Sequence, residues 1–517
     1  MFLFKLLVLL HTLWVIEGYK ILCLLPYPGK SHMMVFEPLL QELTDRGHQL
    51  TVVSFFPAQK PSPNRRDVSL AGIAPIGFEV VDINGLNFNW YGLEKYFAHI
   101  PSSLGIANSN LQLCETLLNH PIMEEFVKTK GKYDLILVEQ FNSDCMLGIV
   151  HNYKLPFVGL MSSSMLPWSY ERVGAPDTPS YVPGMTLELT DKMSFFERVQ
   201  NSFFLAFYLI YFEVNIRWKE QQIVEQRLGQ TLPKLEEIAK NTSLYLINTH
   251  QVLNGNRNFP PSIIEVGGIH LHNQSIKRLP EDLEKWASES KEGFILFSFG
   301  SLIRGSTMPR DQLNAILKVF AKLPQRVIWK WELENSDLKL PNNVKIVRWL
   351  PQYDLLHHRN LVVFFTHGGL LSMMEAVTAG VPMLVVPILG DQFGNAAHAR
   401  AAGIAQVLRL REINEQSLTE ALQKVMSNET RKQAKRLSRM WKDRPQTPMD
   451  TAIFNIERLG RHKTLQMSSE ARYLNRIQIA LLDVLAFVIL IILISSLFTY
   501  YVIKCLSRKF KTKVKIS

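Results

Sequence analysis

The residues best placed to do chemistry lie between Trp349 and Asn395, where a glycine pair separates an apolar run from a helical pattern. Leu361 to Thr366 reads as a buried strand, His367-Gly368-Gly369 as a turn, Leu371 to Ala379 as a helix and Met383 to Pro387 as a second strand. That succession is a βαβ unit. Glycines let the backbone approach a ligand closely, and the unpaired N–H groups opening a helix, at the positive end of its dipole, favour an anion such as a diphosphate. A phosphate-bearing ligand is the expectation for this turn.

The polar residues around the turn are of the types a nucleotide-sugar would need. Trp349 could stack on a base, His367 donate to a phosphate, Glu375 accept from ribose hydroxyls and Asp391-Gln392 contact sugar hydroxyls. Structural alternatives exist for some of them: Ser372 and Glu375 have capping-box spacing, and Trp349 could be core packing. A second candidate stands far upstream. His32 follows the first apolar strand, at the sheet end where an α/β fold presents ligands, and an imidazole of ordinary pKa ~6.5 can take a proton from a hydroxyl near neutrality. A lone histidine in a turn is more often structural.

Positioning these groups takes two sheets. Strand, helix and strand recur from Tyr19 up to the run Ser243 to Asn248, a polar stretch from His270 to Glu292 intervenes, and the pattern resumes at FILFSFG from Phe294. Each half reads as a parallel sheet flanked by helices. Phe88, Trp90, Tyr91 and Phe97 in the first half would suit an apolar pocket, although core packing explains any one of them as well. The charged run Arg431 to Asp443 reads as a helix leaving the second half.

A length of 517 residues with 47% hydrophobic content fits two large domains plus topogenic segments. The net charge of +11 suggests nucleic acid at first sight. Lys504, Arg508, Lys509, Lys511, Lys513 and Lys515, however, follow the last hydrophobic segment together, as a cytosolic membrane flank does. Met1 to Gly18 fits a secretory signal peptide, and the uncharged run Val484 to Ile503 is long enough to cross ~30 Å of hydrocarbon. Phe203 to Phe212 is apolar but too short to span, so it is either buried or interfacial. Lys513 and Lys515 near the C-terminus have the spacing of a dilysine retrieval signal. Asn241, Asn273 and Asn428 open glycosylation triplets. Of the 4 cysteines, Cys505 lies in the tail, and Cys23, Cys114 and Cys145 make no disulfide framework and no zinc motif. Gly29-Lys30-Ser31 looks like the end of a P-loop, but Leu24 occupies the place of its first glycine. Neither GxGxxG nor GxSxG is present, which counts against a dinucleotide oxidoreductase and a serine hydrolase.

Trp349, Pro351-Gln352, Thr366-His367-Gly368-Gly369, Ser372, Glu375, Gly380, Pro382, Pro387, Asp391-Gln392 and Asn395 together resemble the signature of UDP-glycosyltransferases. YDLILVEQ near Tyr133, RVGAPDTPSYVP from Arg172 and FILFSFGS from Phe294 resemble the membrane-bound animal branch, most of all its insect members. The likeness covers nearly the whole chain. It implies the α/β architecture called GT-B, two facing Rossmann-like domains with a C-terminal transmembrane helix. The expected division is a signal peptide over 1–18, an acceptor domain over 19–269, a linker over 270–292, a donor domain over 293–460, a transmembrane helix over 484–503 and a cytosolic tail over 504–517.

The function implied is inverting, metal-independent transfer of a sugar, glucose by analogy with the insect members, from a UDP-sugar to a small lipophilic alcohol or phenol. By the same resemblance His32 is the general base and Glu139 orients it, with Asp144 as the rival; many vertebrate relatives carry Asp where Glu139 stands, and often Arg where Lys330 stands. Ser301, Trp349, Gln352, His367, Gly369, Ser372, Glu375, Asp391 and Gln392 would hold the donor. No Asp-x-Asp pair occurs for a metal, and the UDP-sugar is a co-substrate, with no separate cofactor. The expected setting is the endoplasmic reticulum membrane, with a lumenal body on a single anchor, the segment 203–212 at the interface and homo-oligomer formation left open. A binding protein that keeps the fold without catalysis, and a sphingolipid glycosyltransferase, are the alternatives.

Overall fold

The computed structural model describes residues 18–77, 79–86, 100–175, 178–333 and 338–514. Residues 1–17 of the expected signal peptide, the aromatic group Phe88, Trp90, Tyr91 and Phe97, and Lys515 lie outside the described residues. The first half forms β1 (Lys20–Leu25), β2 (Gln49–Ser54), β3 (Arg65–Ser69), β4 (Val81–Asp82), β5 (Leu135–Glu139), β6 (Phe157–Met161), β7 (Leu244–Ile247) and β8 (Ile263–Glu265). All but β4 make one parallel sheet in the order β3-β2-β1-β5-β6-β7-β8. The second half forms β9 (Phe294–Ser298), β10 (Ile303–Arg304), β11 (Arg326–Lys330), β12 (Val344–Val347), β13 (Leu361–Thr366), β14 (Met383–Val385) and β15 (Ala405–Val407). Here the parallel order is β12-β11-β9-β13-β14-β15.

Strands buried on both faces must be apolar through their middles, and β1, β5, β6 and β9 are, with polar residues only at their ends. On one face of the first sheet Val35, Phe36, Leu39 and Leu43 of the helix Lys30–Asp45 pack on Ile21, Leu137 and Leu246. On the other, Leu117, Met123 and Ile149 pack on Leu22, Ile136 and Val138. Each such side chain contributes about 1.5–3 kcal/mol of burial. The second sheet is likewise sandwiched between two cores.

Several connections tie the halves. β4, from the first half, pairs in parallel with β10 of the second, and Ile83 just beyond it is fully buried in the second half's core. The run Arg431 to Asp443 does not leave the second domain: within the helix Asn428–Lys442, Ala434, Leu437 and Trp441 are spaced to face that domain's core. The next helix, Pro448–His462, is the one that crosses back, placing Met449, Ala452, Ile453, Ile456 and Leu459 in the first domain's core. Within 270–292, Glu281–Ser288 is a helix whose Leu283 and Ala287 join the second domain. Cys114 and Cys145 form a disulfide, a pairing not foreseen from four scattered cysteines, while Cys23 is buried and free. The final helix, Leu482–Val514, contains the stretch Leu482–Arg508, which includes an 18-residue window of mean hydropathy 2.6 and is long and apolar enough to cross a membrane.

Candidate active site

The C-terminal ends of the two sheets face each other across a cavity of about 440 Å³. Its donor side is built largely from backbone. β13 ends at Thr366, Gly368 takes a φ of +85°, a conformation side chains rarely adopt, and the helix Leu370–Ala379 starts with Gly369 as its N-cap and no side chain capping it. The first amides of that helix are therefore free for a ligand. His367 sits between two glycines: a Cβ on Gly369 would lie 2.4 Å from its Nε2, and one on Gly300 2.6 Å from its Cε1. These positions require glycine because the imidazole fills the space. Burial holds the His367 ring down to about 4, with the Lys330 ammonium acting in the same direction, so it is neutral at physiological pH and serves as a hydrogen-bond donor without charge.

Ser372 and Glu375 do not form a capping box. Both receive the Gln352 amide, which donates to Ser372 Oγ at 3.1 Å and to Glu375 Oε2 at 2.7 Å, so the three form one polar wall. Burial pushes the Glu375 carboxyl up to about 7 against the lowering effect of that amide. Trp349, 55% exposed, is not core packing; it lines the cavity, with the Lys30 ammonium 5.1 Å from its ring centroid. Asp391 Oδ2 accepts from Asn395 Nδ2 at 2.9 Å, and burial raises its carboxyl above the usual range. Gln392 spends its oxygen on the backbone amides of Ile388 and Leu389, at 2.9 and 3.0 Å, which leaves its NH₂ for the cavity.

The opposite side is built from side chains. His32 lies in the first turn of the helix Lys30–Asp45, and its ring clusters with Tyr27 and Phe141, with centroids at 4.1 and 4.4 Å. Its Nδ1 lies 2.7 Å from Glu139 Oε1, the last residue of β5, and 2.7 Å from Ser162 Oγ, just after β6. That leaves Nε2 as the ring nitrogen available to a ligand. Asp144 is committed elsewhere, in a buried two-point pair with Arg172 that includes a 2.8 Å bond. Of the residues expected at the site, all but Glu139 line the one cavity, and Glu139 stands behind His32.

Sequence reasoning missed Ser162, whose triplet of serines carries no motif, and the setting of Lys330. Its ammonium lines the cavity 3.3 Å from both Glu79 and Glu332. Tyr27, Met34, Ile106, Phe141, Leu166, Met185, Phe204 and Tyr208 give the His32 side an apolar wall. This pairing of a carboxylate-held imidazole with an anion-binding helix start can remove a proton from a hydroxyl while a phosphate ester departs.

A family model described as UDP-glucoronosyl and UDP-glucosyl transferase matches residues 21–517. The chain is 35% identical to UDP-glycosyltransferase UGT5 of Dactylopius coccus, over 98% of this chain and 95% of that one. It is 30% identical to human UDP-glucuronosyltransferase 2B15 over 93% of each. Among solved structures, the glycotransferase of kitacinnamycin superposes with a TM-score of 0.58 at 16% identity, over 85% of this chain and 99% of that one. The calicheamicin glycosyltransferase CalG4 does so with a TM-score of 0.53 at 16% identity, over 86% and 99%. At that identity the structures show a shared GT-B fold.

Proposed function

The chain belongs to the UDP-glucoronosyl and UDP-glucosyl transferase family, and from that premise we propose an inverting, metal-independent transfer of glucose from UDP-glucose to a small lipophilic hydroxyl compound. The observation that carries this reading is the His32 imidazole, held at Nδ1 by Glu139 in the cavity that also contains the free helix start at Gly369. The acceptor's O–H proton passes to Nε2 as its oxygen bonds to the anomeric carbon. The bond from that carbon to the diphosphate breaks on the opposite face, and UDP leaves with the electron pair, which inverts the centre.

Helix amides, His367 and Ser301 meet the leaving charge. Trp349 stacks on the uracil, and Gln352, Ser372 and Glu375 take the ribose. Asp391 and Gln392 take the sugar; the Asp391 carboxylate, together with the pairing of Lys330 to two carboxylates, favours a neutral hexose over a uronate. The apolar wall around Phe141, Leu166 and Phe204 suits a phenol or steroid.

The setting we propose is the endoplasmic reticulum membrane, with the body in the lumen. The apolar helix Leu482–Arg508 followed by basic residues supports the anchor and its direction, and a disulfide suits an oxidising compartment. On the helix Phe195–Tyr211, Phe196, Phe203 and Ile210 are 79%, 54% and 66% exposed, which supports contact with the membrane interface.

The test uses membranes carrying the wild-type protein or His32→Ala, given UDP-glucose, UDP-glucuronate or UDP-galactose with a panel of phenols and steroids. Glucoside formed only with UDP-glucose and lost in His32→Ala is the expected result. Product from another donor would correct the sugar, and full activity in His32→Ala would remove the base assignment.

A further inference from the structure

One imidazole nitrogen faces two oxygens at the same distance. Nδ1 of His32 lies 2.7 Å from Glu139 Oε1 and 2.7 Å from Ser162 Oγ. The sheet order explains the convergence. β1, β5, β6 and β7 are neighbours in register, so the turn after β1, the last residue of β5 and the first residue beyond β6 meet at one edge.

Ser162 is 5% exposed and fixed from behind: its carbonyl accepts from Asn248 Nδ2 at 3.0 Å, and the Asn248 backbone amide donates to Met161 O at 2.9 Å. Asn248 is itself fully buried just after β7, and its Oδ1 accepts from the Gly268 amide. A hydroxyl carried on so anchored a backbone and almost fully buried is not a surface rotor that happens to touch the ring. Tyr27 lies tilted against the imidazole and Phe141 meets it edge-on, so these rings confine it on two sides and the two oxygens decide how it turns.

We propose that Ser162 is a positioning residue for the base, sharing the Nδ1–H with Glu139. This rests on the reading of His32 as the base. An ionised carboxylate can only accept, whereas a hydroxyl can accept while turning its own hydrogen away. With both oxygens accepting, the proton stays on Nδ1, the Nε2 lone pair faces the acceptor, and the imidazolium formed on proton transfer keeps two partners. A glutamate is one methylene longer than an aspartate and has more torsional freedom; the second oxygen restores the orientation that a shorter carboxylate would give alone.

The test compares wild type, Ser162→Ala, Ser162→Thr and His32→Ala for kcat, for KM of each substrate, for UDP-glucose binding and for the pH dependence of kcat. Ser162→Ala is expected to lower kcat about fivefold, with both KM values and UDP-glucose binding unchanged, and to move the acid limb of the profile to lower pH because the imidazolium has lost an acceptor. Ser162→Thr, which keeps the hydroxyl, is expected to stay near wild type in both. A wild-type rate and profile in Ser162→Ala beside an inactive His32→Ala would overturn the role of Ser162 and leave the base standing. A slower Ser162→Ala with an unmoved acid limb, unrelieved by threonine, would reduce Ser162 to packing and overturn it equally. Full activity in His32→Ala would remove the base, and Ser162 with it.

Discussion

The two walls of the cavity are made in different ways. The donor wall comes from one contiguous stretch, Trp349 to Asn395, and its essential parts are backbone: a turn at Gly368, a helix starting at Gly369, a histidine seated between glycines. The opposite wall gathers His32, Glu139, Phe141 and Ser162 from three neighbouring strand ends spread over 130 residues of sequence, and its working contacts are between side chains. A backbone-built site is precise because the peptide geometry is fixed, and it tolerates no Cβ. A side-chain-built site depends on what braces its loops.

That contrast can be broken or sharpened by experiment. The brace on the second wall is the disulfide from Cys114, on the helix Ile100–Leu118, to Cys145, six residues after Glu139. Cys114→Ser with Cys145→Ser is expected to cost about 3–4 kcal/mol of stability. Thermal unfolding with and without UDP-glucose would read it, and wild-type stability would mean the wall needs no brace. Glu139→Gln comes next, lowering kcat about a hundredfold at unchanged UDP-glucose affinity; a loss of donor binding instead would show that the walls are not separable. Gly369→Ala should do the reverse, raising KM for the donor about tenfold, since its methyl collides with the His367 ring and moves the helix start. Acceptor KM should hold.

The smallest effect is one of pH. Glu375 has its carboxyl raised to about 7, from an ordinary 4.5, by burial. Ribose hydroxyls donate best to the ionised form, so UDP-glucose affinity should weaken a few-fold as pH falls below about 7, while Glu375→Gln should be flat. UDP-glucose is the right probe because its diphosphate diester does not titrate there. In the free protein the same shift has the opposite sense for folding: burial of the carboxylate costs stability progressively as pH rises from 4.5 to about 7, and the glutamine variant should lack that slope.

The sequence spelled out the donor wall because contiguous residues share one local geometry. The βαβ succession, the glycines and Glu375 could all be placed before any contact was known. The acceptor wall was legible only in part. His32 and Glu139 stood out through resemblance, whereas Ser162 is one of three serines in a row and becomes special only because β6 lies beside β5. The choice between Glu139 and Asp144 turned on Arg172, a residue with no pattern of its own that engages Asp144 from 28 positions away. The helix that crosses back was misplaced by one element because charge marked the helix Asn428–Lys442, while its apolar side, with Trp441, holds it to the donor domain.

The strand β4 and the residue after it bear on how such proteins could be recombined. A piece of the acceptor half, ending in Ile83, plugs the core of the donor half, while a helix from beyond the donor half completes the core of the other. Each half thus carries part of its neighbour's interior, so a chimera joined at a single point near residue 290 inherits two mismatched plugs. Exchanging the donor halves of two relatives should preserve folding only when residues 81–86 and 448–462 travel with the cores they fill.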